Sequence, residues 1–178
     1  MATAEEYLAN PIWVKKMRDH FNFMDKNKNG FLTQEELTSR ADKLKKITGV
    51  KDEEEAKLRE ALVKLAVKLG ATGPEVQIDQ DGYVKAAAEF ASKKEESTAI
   101  LNEVNEAFFN CVDTNDDGTI SVEEYGKVLQ ASNMKPEGAK VIFDLIDKNH
   151  NGKIEMKELV AISNAFYFSF DPVNFENA

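Results

Sequence analysis

Aspartate, asparagine and glutamate recur in this chain at one internal spacing in three places. The first set runs from Asp25 through Asn27, Asn29 and Gly30 to Glu36, the second from Asp113 through Asn115, Asp117 and Gly118 to Glu124. The third runs from Asp147 through Asn149, Asn151 and Gly152 to Glu158. Such spacing sets side-chain oxygens at positions 1, 3, 5 and 12 of a loop, and the backbone carbonyls of Phe31, Thr119 and Lys153 at position 7. A hard cation such as Ca2+ takes about six to eight oxygens at flexible distances. The three aspartates at position 1 bring charge, and the asparagines add neutral oxygens without crowding it. The glutamates are long enough to close a site with both carboxylate oxygens. Glu155, at position 9 of the last set, would reach an ion directly or through water.

The pattern D-x-[DN]-x-[DN]-G-x5-E is that of the EF-hand calcium loop. Clusters of Asp, Asn and Gly also make ordinary turns, but three full matches, each between amphipathic stretches, favour metal. Three Ca2+ sites are expected, with Mg2+ competing. The Asp113 loop has three acidic ligands and should be strong; the Asp25 loop relies on two asparagines and should be weaker. The net charge is −9, and three bound Ca2+ would bring it to about −3. Repulsion should therefore weaken the metal-free protein.

The bulk composition is that of a globular protein, 42% hydrophobic and 31% charged over 178 residues, enough for a sizeable core. The negative balance argues against nucleic acid or an anionic membrane as partner. Cys111 is the only cysteine, so no intramolecular disulfide forms, which fits a reducing, cytoplasmic setting. Its apolar neighbours make it a buried, inert thiol. The opening Met-Ala-Thr-Ala-Glu-Glu lacks the features of a secretion signal, and no apolar run is long enough to span a bilayer. No nucleophile–base pairing, phosphate-cradling glycine loop or zinc spacing is visible, so an enzyme is not expected. The expected state is a monomer.

The elements that must position these loops are helices. Asn10-Pro11 marks a start, and Ile12, Trp13, Met17, Phe21 and Met24 recur at helical spacing into the first loop. Leu37, Ala41, Leu44 and Ile47 continue beyond it until Gly49. A long helix from about Asp52 to Leu69 carries Leu58, Leu62, Leu65 and Ala66, with Gly70 as terminator. The segment from Ala71 to Gly82 stands where a second loop belongs, but neither end is a carboxylate. It is read as a loop without calcium, whose Ile78 pairs with Leu32. A helical run from Tyr83 to about Lys94 follows. Ser92 to Thr98 is polar and divides the chain into an N-terminal pair, 1–94, and a C-terminal pair, 95–178, with Ser97 or Thr98 starting the next helix. That helix carries Leu101, Val104, Phe108 and Val112 to the Asp113 loop, and the exit helix ends near Gln130. Pro136 opens the helix into the Asp147 loop, and Ile120 and Ile154 match at position 8.

Beyond the loops the chain resembles the sarcoplasmic calcium-binding proteins and their relatives, the luciferin-binding proteins and coelenterazine photoproteins. The likeness covers nearly the whole chain. It is carried by Trp13-Val-Lys-Lys-Met-Arg-Asp-His-Phe21, by Phe108-Phe-Asn-Cys-Val-Asp-Thr-Asn115, and by the tail Phe166-Tyr-Phe-Ser-Phe-Asp171-Pro172. The resemblance implies an all-α protein of four EF-hand helix–loop–helix units, in two pairs forming one compact globule, the second loop degenerate. Photoproteins use histidines in a luciferin cavity. Here there are only His20, read as structural, and His150, at an outward-facing loop position. Light-emitting oxidation is therefore not expected.

Three functions compete. One is a Ca2+/Mg2+ buffer. Another is a calcium-regulated carrier of a small apolar ligand such as coelenterazine, for which Trp13, Phe21, Phe23, Phe108, Phe109, Phe143, Phe166, Tyr167, Phe168 and Phe170 would line a cavity or, as read here, fill a core. The third is a sensor opening a methionine-rich groove to target helices. Met1, Met17, Met24, Met134 and Met156 are too scattered to favour it.

Overall fold

The chain opens with a helix that hydrophobic periodicity does not announce. Thr3 and Glu6 form a capping box: Thr3 Oγ1 accepts from the Glu6 N–H (3.2 Å) and Glu6 Oε2 from the Thr3 N–H (2.8 Å). Helix α1, Ala4–Ala9, results. Asn10 ends it, donating its N–H to the Tyr7 carbonyl, and begins the next, its Oδ1 accepting from the Trp13 N–H (2.9 Å). Pro11 then opens α2, Pro11–Met24, at the position where a missing N–H costs nothing. The structure is a computed structural model and describes residues 1–131 and 136–172. Met134, one of the scattered methionines, lies outside the described residues.

Strand β1 (Phe31–Leu32) follows the first loop, then α3 (Gln34–Thr38) and α4 (Arg40–Thr48). The sequence predicts one continuous exit helix here; the structure divides it at Ser39. Thr38 Oγ1 donates to the Gln34 carbonyl and Ser39 Oγ to the Glu36 carbonyl, both at 2.9 Å. Hydroxyls returned to the preceding turn compete with the helical ladder. Helix α5 (Asp52–Lys68), β2 (Ile78–Asp79) and α6 (Gln80–Ser92) come next, followed by α7 (Lys94–Val112), β3 (Ile120–Ser121) and α8 (Val122–Ala131). Helix α9 (Pro136–Ile146), β4 (Lys153–Ile154) and α10 (Met156–Phe168) complete the described order.

The polar stretch from Ser92 to Thr98 does not start its helix at Ser97 or Thr98. Helix α7 begins at Lys94, and Lys93 alone separates it from α6. Ser97 is 1% exposed because its hydroxyl donates to the Phe90 carbonyl inside the bend. A serine satisfied internally looks the same in sequence as one facing water.

Two short antiparallel pairs tie the loops together. Strand β1 pairs with β2, setting Leu32 opposite Ile78, and β3 with β4, setting Ile120 opposite Ile154. The first pairing matches the sequence expectation, and the second joins the two residues that share position 8. Two cores flank them. The first holds Tyr7, Trp13, Met17, Phe21, Phe90 and Tyr167 among others. The second holds Leu44, Leu58, Leu62, Phe108, Phe143 and Ile154 among others. Helices α5 and α7 pack along each other and serve both: α5 gives Leu58 and Leu62 to one and Ala66 to the other, and α7 gives Phe108 and Leu101. On α2 the buried stripe is Trp13, Met17 and Phe21, four residues apart. Ile12 faces outward. So do Phe23, under the Lys26 ammonium at 3.9 Å, and Phe170, whose ring lies 5.1 Å from that of Tyr7; neither belongs to a core. Among the described residues no helix is long and apolar enough to cross a membrane.

The junction after α5 has no room to spare. Gly70 has φ +100°, and a Cβ there would lie 2.1 Å from Ile78 Cδ1, the side chain whose backbone pairs with Leu32. The left-handed backbone strains any residue with a Cβ, and the Ile78 methyl must move aside. Gly70→Ala should destabilise the protein by about 1–2 kcal/mol in urea unfolding, against about 0.5 kcal/mol for an unconstrained surface change.

Candidate metal-binding loops

Each loop starts where its entering helix stops, and the first aspartate does the stopping. Asp25, Asp113 and Asp147 donate their N–H groups to the carbonyls four residues back, at 2.8–2.9 Å. Their carboxylates then turn into the loop. Asp25 Oδ1 accepts from the Asn29 N–H (3.2 Å) and Oδ2 from the Gly30 N–H (2.9 Å). Asn27 Oδ1 accepts from the Asn29 N–H (2.9 Å), and Asn29 Oδ1 from the Phe31 N–H (2.9 Å). The same four bonds recur in the next loop, with Asp113, Asn115 and Asp117 accepting from Asp117, Gly118 and Thr119 at 2.9–3.2 Å. They recur again with Asp147, Asn149 and Asn151 accepting from Asn151, Gly152 and Lys153 at 2.8–3.2 Å.

The backbone carries a matching signature. Lys28, Asp116 and His150, at position 4, have φ of 55–56°, and among the described residues they are the only non-glycine residues with positive φ. Two residues on, the loop glycines have φ of 78–82°. Left-handed backbone costs a residue bearing a Cβ about 1 kcal/mol. The loops hold that strain in common, and it folds the side-chain oxygens inward. The 71–82 segment has no such residue. Its Asp79 caps α6 by accepting from the Gly82 N–H (2.8 Å), and Asp81 pairs with Arg18 (3.2 Å).

The glutamates at position 12 grip the backbone on two sides. Glu124 Oε1 accepts from the Thr114 N–H (3.0 Å), near the start of the loop, and Oε2 from the Ser121 N–H (2.9 Å), at its end. Glu158 does likewise with Lys148 and Glu155, both at 3.0 Å. Glu36 accepts from the Thr33 N–H (3.1 Å) and from Asn27 Nδ2 (2.8 Å). Thr33 and Ser121 cap in turn, their hydroxyls accepting from the Glu36 and Glu124 N–H groups. The ligand pattern does not point to Thr33, Thr114 or Ser121. A signal for two of them is present all the same: Thr33-Gln-Glu-Glu36 and Ser121-Val-Glu-Glu124 are capping-box spacings. Glu155, expected at position 9, pairs with Lys157 at 2.5 Å.

The electrostatics point to a cation. Asp25, Asp113, Asp147, Glu124 and Glu158 are all buried, and none lies within ion-pair distance of a described lysine or arginine. Asp117 is the one position-1, -3, -5 or -12 carboxylate with such a neighbour, Lys153 Nζ at 3.8 Å from the facing loop. Buried carboxylates without counter-charge are costly. The donor set of carboxylates, amides and carbonyls, with no soft ligand among it, fits a hard divalent ion such as Ca2+ or Mg2+.

A family profile described as an EF-hand domain pair matches residues 14–130, and a second, described as EF hand, matches 139–163. The chain belongs to the EF-hand family. This EF-hand chain is 26% identical to the luciferin-binding protein of Renilla reniformis, over 93% of its own length and 91% of that protein. It is 31% identical to the sarcoplasmic calcium-binding protein of Perinereis vancaurica tetradentata, over 72% of this chain and 74% of that one. Calcium-loaded apo-aequorin from Aequorea victoria superposes with a TM-score of 0.77 at 20% identity, covering 93% of this chain and 95% of that one, so the fold is shared. This is a calcium-binding EF-hand protein, related both to sarcoplasmic calcium-binding proteins and to the luciferin-binding and photoprotein group.

Hydrogen bonding decides the acidity of Glu124. Desolvation works to raise its pKa, but the donors of Ser121 and Thr114 outweigh it and hold the carboxyl below its ordinary value. A carboxyl so depressed adds stability above its unfolded pKa and loses it as pH falls through the folded value. Ser121→Ala should move the Glu124 midpoint upward, read by carboxyl-carbon NMR of the metal-free protein. It should also cost about 1 kcal/mol of stability at pH 7 through the lost cap.

Proposed function

We propose that this protein is a cytoplasmic, monomeric calcium buffer of the sarcoplasmic type, holding three Ca2+ and exchanging them with Mg2+. One ion is held by Asp25, Asn27, Asn29, Glu36 and the Phe31 carbonyl. A second is held by Asp113, Asn115, Asp117, Glu124 and the Thr119 carbonyl. The third is held by Asp147, Asn149, Asn151, Glu158 and the Lys153 carbonyl, with Glu155 beside it. In this reading residues 1–94 and 95–178 each contribute a pair of EF-hand units, and the 71–82 loop is a brace without metal. The observation that carries the proposal is the five buried carboxylates, unmatched by any described lysine or arginine, within three loops that share the same four bonds to positions 1, 3 and 5.

A second reading, a calcium-regulated carrier of a small apolar ligand such as coelenterazine, draws on one cluster. The Tyr83 hydroxyl lies 2.5 Å from His20 Nδ1 and within bonding reach of Tyr167, amid Phe21, Phe90 and Phe166. Against it, Trp13, Met17 and Tyr83 are wholly enclosed. A cavity beside them able to admit even one water would leave some of their surface accessible. Catalysis is not part of either reading. Burial, with the charge of Arg40, pushes His20 down to about 3, too weak a base for proton abstraction near neutral pH. Cys111 is buried, and burial with Glu54 and Glu55 pushes its thiol up to about 11, far from a reactive thiolate.

Calorimetry on the metal-free protein should count three Ca2+, and Glu36→Gln, Glu124→Gln and Glu158→Gln should each remove or weaken one. Binding weaker than about millimolar at every loop would end the buffer reading. Gel filtration after incubation with coelenterazine separates the two functions: co-elution in the calcium-free state alone would establish the carrier, and no co-elution in either state leaves the buffer.

A further inference from the structure

Helices α2 and α10 lie near opposite ends of the chain and share one joint. Lys16 is 6% exposed, and its ammonium donates to the carbonyls of Ser169 (2.8 Å), Ala165 (3.2 Å) and Asp171 (3.5 Å). It also lies 5.7 Å from the centroid of the Phe166 ring. Trp13, one turn away, donates its Nε1–H to the Tyr167 carbonyl (2.8 Å), and the Tyr7 hydroxyl donates to the Phe168 carbonyl (3.3 Å). Of these carbonyls, that of Ala165 lies in the last turn of α10 and also accepts from the Ser169 N–H (3.2 Å), while those of Ser169 and Asp171 lie just past the helix end; a cation there is favoured by the helix dipole. Among the described residues no carboxylate reaches ion-pair distance of Lys16. The contact is thus a C-terminal cap for α10, supplied by the side chain of α2.

The two helices joined in this way lead to two particular loops. Helix α2 runs directly into Asp25, and α10 carries Glu158 in its first turn. No described strand connects them, since β1 pairs only with β2 and β3 only with β4. Helix α6 packs against both, and the His20 and Phe166 rings meet at 5.0 Å, but of these contacts Lys16 alone brings a charge and bonds at three carbonyls. We infer that Lys16 is a positioning residue through which the Asp25 and Asp147 loops sense each other's metal. The inference rests on reading these loops as calcium sites.

The physical basis is stiffness. Each helix is about 20 Å long, so a tilt set at the loop end appears undiminished at the joint. With the ammonium fixed to three carbonyls, α10 follows α2 or the bonds break. Linkage then requires the effect to be mutual: whatever factor metal at Asp25 applies at Asp147, metal at Asp147 applies at Asp25.

Each loop has its own reporter. The Gly30 N–H donates to Asp25 Oδ2 and the Gly152 N–H to Asp147 Oδ2, so these amide signals in proton–nitrogen spectra read the two loops separately. In the full chain, Glu36→Gln should raise the calcium needed to half-saturate the Gly152 signal about five-fold or more. Combined with Lys16→Met, Glu36→Gln should raise that midpoint about two-fold or less; combined with Lys16→Arg, it should raise it fully again. Where Lys16→Met fails to fold, Lys16→Gln takes its part, since an amide keeps a donor at the joint but brings no cation to the three carbonyls. A Gly152 midpoint that ignores Glu36→Gln in the otherwise native chain overturns the inference. So does a midpoint that moves equally with Lys16 in place and with Lys16 replaced by Met or Gln. If neither amide answers calcium at all, the reading of the loops as calcium sites falls, and the inference with it.

Discussion

A glutamate that bonds to both ends of its own loop is the constraint on which the site geometry depends. In the Asp113 and Asp147 loops the carboxylate at position 12 accepts one N–H from the loop's beginning and one from its end. It thereby fixes the start of the exit helix against the end of the entering one. The negative charge sits at a helix N-terminus, where the dipole favours it, yet it is buried with only N–H and hydroxyl groups as compensation. Hydrogen bonds strengthen in such surroundings, and so does the demand for a counter-charge. The oxygens that set the helix angle are also those a bound cation would draw on. A divalent ion drawing on them must alter that angle.

Pairing of the loops converts these local arrangements into a common frame. Leu32, Ile120 and Ile154 are wholly enclosed, their backbones held in the two strand pairs. Behind them α5 and α7 run through both cores, so neither core is built from one half of the sequence. The 71–82 segment takes part in the frame without the oxygens. Gln34 Nε2 donates to the Ala71 carbonyl (3.2 Å) and Gln80 Nε2 to Asn22 Oδ1 (2.9 Å), and these side-chain bonds join Arg18–Asp81 in binding it to its neighbours.

What can be read in the sequence is what is local. The loop oxygens lie within twelve residues of one another, and their order alone specifies the turn. The loops starting at Asp25, Asp113 and Asp147 are therefore legible, and so is the pairing of Leu32 with Ile78; Ile120 and Ile154 are legible as equivalent positions. Helix α1 is legible in principle from Thr3 and Glu6, but its stripe is too short for periodicity to register. The bend at Lys93 is not legible, because Ser97 depends on the Phe90 carbonyl and nothing in a serine declares its partner. Lys16 shows the limit most clearly. A lysine on a helix reads as solvated, and its burial here is decided by carbonyls 149 to 155 residues further on.

The same long separation governs how the chain is made. Trp13 takes its partner from Tyr167, 154 residues later, and Tyr7 from Phe168. While the ribosome is still extending the chain, the first two helices have no lid for their aromatic face. The N-terminal core can close only once Tyr167 and Phe168 have left the ribosome, which leaves Trp13 and Phe21 exposed to chaperones and to self-association until then.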